Sequence, residues 1–438
     1  MTAREEFDHD VVLGSEALSA GDESSPRIAR SLAGRATTRP RALMIGPMPR
    51  AGTPIGGTQV SFDQLVSRLR AGGRFDVDVV DTSRVVHGES LVSRVARDTR
   101  LLATVLSAVL RKARTSDVVV LNMSSGALVK AGPMVGELAR VLDTPLVVRA
   151  FGGCLDESYD RLPSWGRRWV DETLFASPLV LLQTHALCRR FGHVEGVRWF
   201  PTTRDCPSTI APVAPRCRKF LFLSQVRVEK GVLDALEAAR RLPAGCTLTV
   251  RGPLMPGFDP SVFDGHPNAT YGGPVDAHDV GRVFAEHDAL VFPSWYEGEG
   301  IPGVVIESLQ AGRAVIATSW RTLPEIVEDE MSGLIVPTRD VDALAHAMSR
   351  LAVGPALHQR LARGARVRGV EFDAAGWHRR FENWLEQVIE DEVPTRLSTP
   401  IAPNVDRTRE DDPESTPHSD PLDHVPSPVS TPIEEHVA

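Results

Sequence analysis

Short apolar runs alternate along the chain with longer segments that repeat hydrophobic residues at helical spacing. One series covers residues 42–46, 75–80, 117–122, 145–151 and 179–183. After a proline-rich stretch, a second covers residues 219–224, 247–252, 288–293, 314–319 and 333–337. Continuous apolar strands separated by helices are typical of parallel sheets covered on both faces. The pattern predicts an α/β protein with two doubly wound, Rossmann-like domains facing each other across a cleft.

The boundary between the two series lies near residues 201–217. We predict an N-terminal domain over residues 41–205 and a C-terminal domain over residues 206–372. Residues 373–390 then follow as a helix, since their apolar residues have the i, i+4, i+7, i+8 spacing of a buried stripe: Trp377, Phe381, Trp384 and Leu385.

The net charge of −8 belongs to the ends of the chain rather than to its body. Residues 391–438 contain 11 acidic and 3 basic side chains and 9 of the 33 prolines, without a periodic apolar face. We predict that this acidic tail and residues 1–40 are disordered, with a short helix as an alternative at 11–18. No basic stripe with interleaved aromatic residues is present, so nucleic acid is not an expected partner.

Targeting and metal signals are also missing from the sequence. No run of about 18 apolar residues occurs, and the N-terminus is acidic where a secretory signal would be basic, so a cytoplasmic location is expected. The five cysteines are scattered without a CxxC pair, which gives no indication of a disulfide framework or a zinc site. We expect no metal.

The stretch WYEGEGIPGVVIES, residues 295–308, contains a G-x-G-x-x-G pattern at Gly298, Gly300 and Gly303. It follows a predicted strand and opens a predicted helix, a context in which backbone N–H groups and a helix N-terminus bind phosphate. A dinucleotide site also needs an acidic residue at the end of the next strand, and AVIATS ends without one. The pattern therefore favours a different phosphate ligand.

Two carboxylates flank this helix start, Glu299 in the loop and Glu307 inside the helix. A carboxylate can accept hydrogen bonds from both hydroxyls of a vicinal diol, so this pair is suited to holding a sugar on one side of a phosphate and a ribose on the other. The arrangement predicts a nucleotide sugar. Glu297, two residues earlier in the loop, is an alternative first carboxylate, and the choice between it and Glu299 depends on the resemblance described next.

The run from Leu290 to Pro337 resembles the donor-binding region of retaining glycosyltransferases of family four (glycosyl transferases group one), whose fold is GT-B. Their Glu-x7-Glu, glycine-loop proline, AG turn, PEI and GLxVP motifs occur here in the same order. The resemblance extends to Lys230 with Gly231 and, in the N-terminal half, to Gly56 and Gly57. It covers roughly residues 42–390 and implies that 373–390 crosses back to the N-terminal domain.

The resemblance also implies a role for each matching residue. Glu307 would hold the ribose hydroxyls, Glu299 the transferred sugar, and Lys230 would neutralise the departing diphosphate. Gly56 and Gly57 would form a loop near the acceptor or the phosphate. In the loop formed by Gly300, Ile301, Pro302 and Gly303, the backbone N–H groups would donate hydrogen bonds to developing negative charge, except at Pro302, which has no N–H.

Two positions depart from the family pattern. Gln225 stands where the family usually has an arginine, which leaves Arg227 as a candidate replacement, and Phe151 stands where the family often has a histidine. The candidate catalytic residues are therefore Glu299, Lys230 and Arg227, with Gln225 and Glu297 as further donor contacts.

The function that the resemblance implies is transfer of a sugar from a nucleoside-diphosphate-sugar donor to a glycan or lipid-linked acceptor with retained anomeric configuration. It would require no cofactor or metal, and it would serve cell-surface polysaccharide or glycoconjugate biosynthesis. A catalytically inactive nucleotide-sugar-binding partner or regulator is the alternative. Residues 91–115 carry six basic side chains and one acidic one, and they are predicted to form a helix that either contacts the cytoplasmic face of the membrane or is an ordinary surface helix.

Overall fold

A computed structural model describes residues 39–50, 56–83 and 91–398, with the side chains of 91–94 and 392–398 left out. Almost all of the predicted N-terminal extension, and the tail beyond residue 398, lie outside the described residues. Within the described part, twelve strands form two parallel sheets of six strands each.

The first sheet has the strand order β2-β1-β3-β4-β5-β6. Its strands are β1 (Arg41–Gly46), β2 (Asp76–Asp81), β3 (Val118–Ser124), β4 (Leu146–Phe151), β5 (Leu179–Leu182) and β6 (Val197–Trp199). Five of them coincide with predicted runs. The sixth, β6, was not predicted, because three residues at a sheet edge are too short to show a pattern.

The second sheet has the order β12-β11-β10-β7-β8-β9. Its strands are β7 (Lys219–Leu223), β8 (Thr247–Arg251), β9 (Ala269–Tyr271), β10 (Ala289–Phe292), β11 (Ala314–Thr318) and β12 (Gly333–Val336). The short edge strand β9 was missed for the same reason as β6. The prediction of a doubly wound α/β chain with two parallel sheets is confirmed.

Helices cover both faces of each sheet, and buried apolar side chains fill the space between them. In the N-terminal half the helices are α1 (Gly57–Gly72), α2 (Leu91–Lys112), α3 (Ser125–Val141), α4 (Leu155–Asp160), α5 (Ser164–Val170) and α6 (His185–Arg190). In the C-terminal half they are α7 (Val232–Ala239), α8 (Val280–Ala285), α9 (Gly303–Gln310), α10 (Leu323–Ile326), α11 (Val341–Val353), α12 (Pro355–Val370) and α13 (Ala374–Ser398).

The last helix, α13, follows the C-terminal half in sequence but packs against the N-terminal sheet. Trp377, Phe381 and Leu385 are buried in one cluster with Phe62 and Leu65 of α1. Their four-residue spacing produces one continuous apolar stripe, so burial on this sheet holds the helix in place. The helix continues to Ser398, past the predicted boundary at residue 390.

The chain passes between the two halves twice, and the two passages lie side by side. The backbone N–H of Arg204, on the outward passage, donates to Phe372 O at 3.1 Å, and the N–H of Ala374 donates to Arg204 O at 2.9 Å. Arg204 is therefore fixed between the domains. Among the described residues, no helix has both the length and the apolar content that crossing a bilayer requires.

Candidate functional site

The predicted phosphate loop lies between β10 and α9. Pro302 precedes the first helical residue, Gly303, and its restricted backbone suits the entry to a helix. Val305, Ile306 and Leu309 are buried against the second sheet. The helix therefore directs its N-terminus to the edge where the parallel strands end, which is the ligand-binding edge of such folds.

A buried ion pair lies beneath this loop. Lys230 Nζ is 2.9 Å and 2.6 Å from the two carboxylate oxygens of Glu299, and the Ser294 hydroxyl donates to the same carboxylate. Lys230 Nζ also lies 4.9 Å from the centre of the Tyr296 ring. Both members of the pair are buried. The structure thus brings Lys230, which was predicted to contact the diphosphate, together with Glu299, which was predicted to contact the sugar.

The backbone after Lys230 explains why glycine follows it. Gly231 has φ of 75°, in the left-handed region, and a Cβ there would lie 2.1 Å from Pro293 O. Only glycine permits this close approach, which brings the lysine turn against the end of β10. Glu297 is exposed at the surface, whereas Glu299 is buried beside Lys230.

The second predicted carboxylate, Glu307, forms an ion pair that the sequence did not predict. Its Oε1 accepts a hydrogen bond from Arg204 Nε at 2.7 Å, and the Glu307 side chain remains 26% exposed. Burial raises the pKa of Glu307, while the charge and hydrogen bond of Arg204 act in the opposite direction. Arg204 Nη1 also contacts the Ser61 hydroxyl at 3.1 Å. One arginine thus links α1, the passage between domains and α9.

Arg204 also lies against the start of α9. A Cβ added to Gly303 would be only 1.9 Å from Arg204 Nη2. The absence of a side chain at this glycine therefore lets a cation approach the helix N-terminus. A guanidinium and an N-terminus with its unpaired N–H groups both attract anions, so this point is electrostatically suited to phosphate.

A glycine pair of the N-terminal half contacts the phosphate loop directly. A Cβ at Gly153 would lie 2.6 Å from Glu299 O, and a Cβ at Gly300 would lie 3.0 Å from Gly152 Cα. Gln183 supports the pair, because its Oε1 accepts a hydrogen bond from Gly152 N at 2.7 Å. These two loops meet across the cleft only because glycine occupies both sides.

Further polar contacts join the two halves beside the cleft. Glu325 accepts hydrogen bonds from the backbone N–H groups of His185 and Ala186, at 2.8 and 2.9 Å, and so caps the start of α6. Arg321 forms an ion pair with Glu157 at 2.8 Å. The N-terminal and C-terminal walls of the cleft are therefore held in one arrangement.

Gln225 and its candidate replacement Arg227 lie next to the Lys230 turn. Gln225 is half-buried after the end of β7. Arg227 lies over the Tyr296 ring at 4.8 Å and forms an ion pair with Glu229 at 2.9 Å, whose hydrogen bond raises the pKa of Arg227. Arg227 and Lys230 thus share one aromatic ring, and Arg227 already has a carboxylate partner.

The N-terminal glycine loop is only partly described, since residues 51–55 lie outside the described ranges. Gly56 precedes α1, and its N–H donates to Gln59 Oε1 at 2.8 Å. Gly57 opens the helix, and an added Cβ there would meet nothing within 4 Å. The same helix carries Ser61 to Arg204, so the helix start lies about one turn from the cleft.

A cavity of about 280 Å³ adjoins Glu307. The passage between domains, α8 and α9 form most of its wall, which includes Gln64, Arg204, Phe284, Glu307 and Gln310. Its lining is mixed, since charged side chains such as Arg204 and Glu307 stand beside apolar ones such as Val280 and Phe284.

A separate set of potential metal ligands lies on the surface. Ligand atoms of Asp276, His278 and Asp279 are within 4.8 Å of one another. Within the described part of the chain this is the one such group, and it includes none of the predicted site residues. Exposed acidic groups commonly occur without a metal, and the expectation that no metal is needed stays a prediction.

Known structures with the same architecture identify the fold as GT-B. Sucrose-phosphate synthase from Thermosynechococcus elongatus aligns with a TM-score of 0.63 at 17% identity, over 81% of this chain and 100% of that one. The Anabaena protein HepE, solved in complex with UDP, aligns with a TM-score of 0.60 at 15% identity, over 79% of this chain and 100% of that one. At such low identity the likeness concerns the fold.

The C-terminal half can be assigned more closely. Residues 217–353 match the family model described as Glycosyl transferases group 1. A D-inositol 3-phosphate glycosyltransferase from Saccharomonospora viridis is 34% identical over 113 residues, 26% of this chain and 25% of that protein. A glycogen synthase from Mycobacterium tuberculosis is 32% identical over 157 residues, 34% and 37% of the two chains. The alignments span 25% and 37% of the lengths of these two relatives.

Proposed function

We propose that this protein is a glycosyltransferase that moves a sugar from a nucleoside-diphosphate-sugar donor to a glycan or lipid-linked acceptor. The observation that carries the proposal is the meeting of Lys230, Glu299 and the α9 N-terminus at the ligand-binding edge of the second sheet. The match of residues 217–353 to a glycosyltransferase family, and a structural neighbour solved with UDP, support the same reading.

The geometry suits the departure of a diphosphate. When the bond to the sugar breaks, negative charge develops on the leaving phosphate, and a nearby cation with preorganised N–H donors stabilises that charge most in the transition state. Lys230 supplies the cation, and the backbone from Gly300 to Gly303 supplies the donors. Glu299 then accepts hydrogen bonds from the sugar, and Glu307 accepts them from the ribose.

Each of the two carboxylates forms an ion pair with a cation of the same site. Lys230 neutralises Glu299, and Arg204 neutralises Glu307, so both carboxylates have a cationic partner. Donor binding replaces these contacts with sugar hydroxyls and frees positive charge for the diphosphate. The nucleobase would lie in the cavity of about 280 Å³ beside Glu307, against the apolar side chains of Val280 and Phe284.

Two finer features of the reaction belong to the proposal. We propose a reaction without a metal ion, because two protein cations near the α9 N-terminus can offset the diphosphate charge, and the resemblance to retaining glycosyltransferases supports retention of the anomeric configuration. The products would be polysaccharides or glycoconjugates of the cell surface. The alternative, an inactive nucleotide-sugar-binding regulator, rests on Gln225 and Phe151, which replace residues usual in the family.

Membrane contact is a further part of the proposal. Helix α2 exposes Arg100 and Arg111, and Arg114 is exposed in the turn that follows. Positions 100, 111 and 114 recur at helical spacing along one side, and a lipid-linked acceptor would lie at an anionic surface to which such a stripe is attracted. Co-sedimentation with vesicles containing phosphatidylglycerol should exceed that with phosphatidylcholine alone, and charge reversal of the three arginines should abolish the difference.

The decisive experiment uses a panel of nucleotide sugars. Thermal shift identifies the donor, since a donor at 100 times its dissociation constant stabilises the protein by about 2.7 kcal/mol. Donor hydrolysis and transfer are then compared in the wild type and in Glu307→Ala. Turnover by the wild type that falls with Glu307→Ala supports the enzyme. Binding without turnover favours the regulator, and no binding of any nucleotide sugar refutes both.

A further inference from the structure

The N-terminal half contains a buried arginine for which the site described above has no use. Arg149 lies near the carboxyl end of β4 and is 1% exposed. Its guanidinium carbon lies over two aromatic rings, 4.5 Å from the centre of Phe151 and 4.5 Å from that of Phe200. No hydrogen-bond partner for its Nε or Nη1 exists among the described residues. A cation thus lies in an apolar setting without a carboxylate.

Other buried polar atoms near Arg149 also lack partners. Asn122 is its register partner on β3, and Asn122 Oδ1 accepts no hydrogen bond from any described residue. His378 of α13 is close enough for the charge of Arg149 to lower its pKa, and His378 Nδ1 likewise has no partner within the described ranges. Buried polar groups are normally satisfied, so several unsatisfied groups in one place indicate a missing polar ligand.

The local charge favours an anion over a neutral ligand or water alone. Arg204 is near enough for its charge, after the effect of burial, to help lower the pKa of Arg149 to about 9. Glu307 compensates Arg204, but nothing described compensates Arg149. Two guanidinium groups against one carboxylate leave an excess positive charge, and an isolated buried charge is strongly unfavourable.

The position of the arginine is also that of a ligand site. Arg149 is followed by Ala150, Phe151 and then Gly152–Gly153, the pair that contacts the phosphate loop. The carboxyl ends of parallel strands are where α/β sheets bind ligands. The two aromatic rings pack on the faces of the guanidinium group and leave its edge free. The N–H groups point outwards from that edge, in the plane of the group, which is the direction in which arginine binds phosphate.

We propose that Arg149, together with Arg204, forms an anion site that receives a phosphate group in the cleft. Two sources have this chemistry, the diphosphate of the donor and a phosphate carried by the acceptor. The choice between them rests on the proposed function. The existence of the anion site does not, because it follows from the uncompensated charge.

The test is calorimetric titration of the full chain with inorganic phosphate, inorganic pyrophosphate, UDP and GDP, in the wild type and in Arg149→Met. Methionine has an unbranched, apolar side chain, so this substitution removes the charge of Arg149 and still fills most of its space. Anion affinity should fall at least tenfold, whereas the thermal midpoint of the ligand-free variant should equal or exceed that of the wild type. An arginine that serves only the fold would give the reverse result.

Arg368→Met is the matched control. Arg368 also lies over a phenylalanine ring, at 5.4 Å, but has a carboxylate partner in Glu371 and backbone carbonyl partners. Its replacement should lower the thermal midpoint and leave anion affinity unchanged. Equal anion affinities for Arg149→Met and the wild type, or no anion uptake by the wild type, would overturn the proposal, as would a crystal grown in phosphate that shows only ordered water at Arg149.

The four ligands also separate the two sources. Weaker binding of UDP or GDP by Arg149→Met assigns the site to the donor diphosphate. Weaker binding of inorganic phosphate with unchanged binding of both nucleotides assigns it to a phosphorylated acceptor. A wild type that binds pyrophosphate but no nucleotide sugar of the donor panel would contradict the proposed function, while the proposal of an anion site would still stand.

Discussion

Replacing Lys230 with methionine tests whether the buried pair is both a structural element and the diphosphate site. The Lys230 side chain is 11% exposed and that of Glu299 is 6% exposed. Removing one partner of a buried ion pair typically costs about 3–5 kcal/mol, because the other charge stays buried. The remaining hydrogen bond from Ser294 to Glu299 places the expected loss near the lower limit, at about 3 kcal/mol.

The double variant Lys230→Met/Glu299→Gln separates stability from chemistry. It leaves no buried charge, and the amide can still accept the Ser294 hydrogen bond, so its stability should exceed that of Lys230→Met by about 2 kcal/mol. Transfer activity should nevertheless remain about 10²–10³-fold below that of the wild type, since no cation is restored for the diphosphate.

Urea unfolding followed by tryptophan fluorescence measures the stabilities. Lys130→Met, at an exposed lysine of α3, is the control and should change stability by less than about 0.5 kcal/mol. A loss below about 1 kcal/mol in Lys230→Met, or a double variant no more stable than the single one, would refute the reasoning from the buried charge.

Three other predictions concern the loop contact, pH and metal. Gly153→Ala places a Cβ 2.6 Å from Glu299 O and should destabilise by about 1–3 kcal/mol, while Gly126→Ala, with nothing within 4 Å, should not; equal urea midpoints would contradict this. Burial and then Arg149 lower the pKa of His378 to about 3 from 6.5, so stability is lost as pH falls below about 6.5, by about 2 kcal/mol at pH 5. His378→Asn should remove that loss. If the variant loses as much stability as the wild type between pH 7.5 and pH 5, measured by urea unfolding, His378 is excluded as its cause. Transfer in EDTA should match transfer in magnesium, and loss of turnover on chelation would exclude the metal-free reaction.

The sequence predicted a structural feature correctly where all of its residues lie in one short segment. The strand before Trp295, the glycine loop and the helix at Gly303 form one continuous stretch, so strand pattern, turn and helix start could be predicted together. The domain class also followed, because alternating strands and helices restrict the topology to a few possibilities.

Contacts between distant segments could not be predicted in the same way. Arg204 and Glu307 are 103 positions apart, and nothing local to the arginine indicates that the chain crosses between domains beside α9. Arg149 left a signal that was missed, since a charged residue inside the apolar run PLVVRAF is unusual for a strand buried on both faces. Its lack of a carboxylate partner, however, is visible only in three dimensions.

The touching glycine loops have a consequence for how this protein can be altered by recombination. Gly152–Gly153 and Glu299–Gly300 belong to different domains, and each leaves room for the backbone of the other. A chimera that takes one domain from a homologue inherits only half of this fit, so a bulkier residue on the imported side would push the two domains apart. Domain exchange therefore has to carry both loops as a matched set.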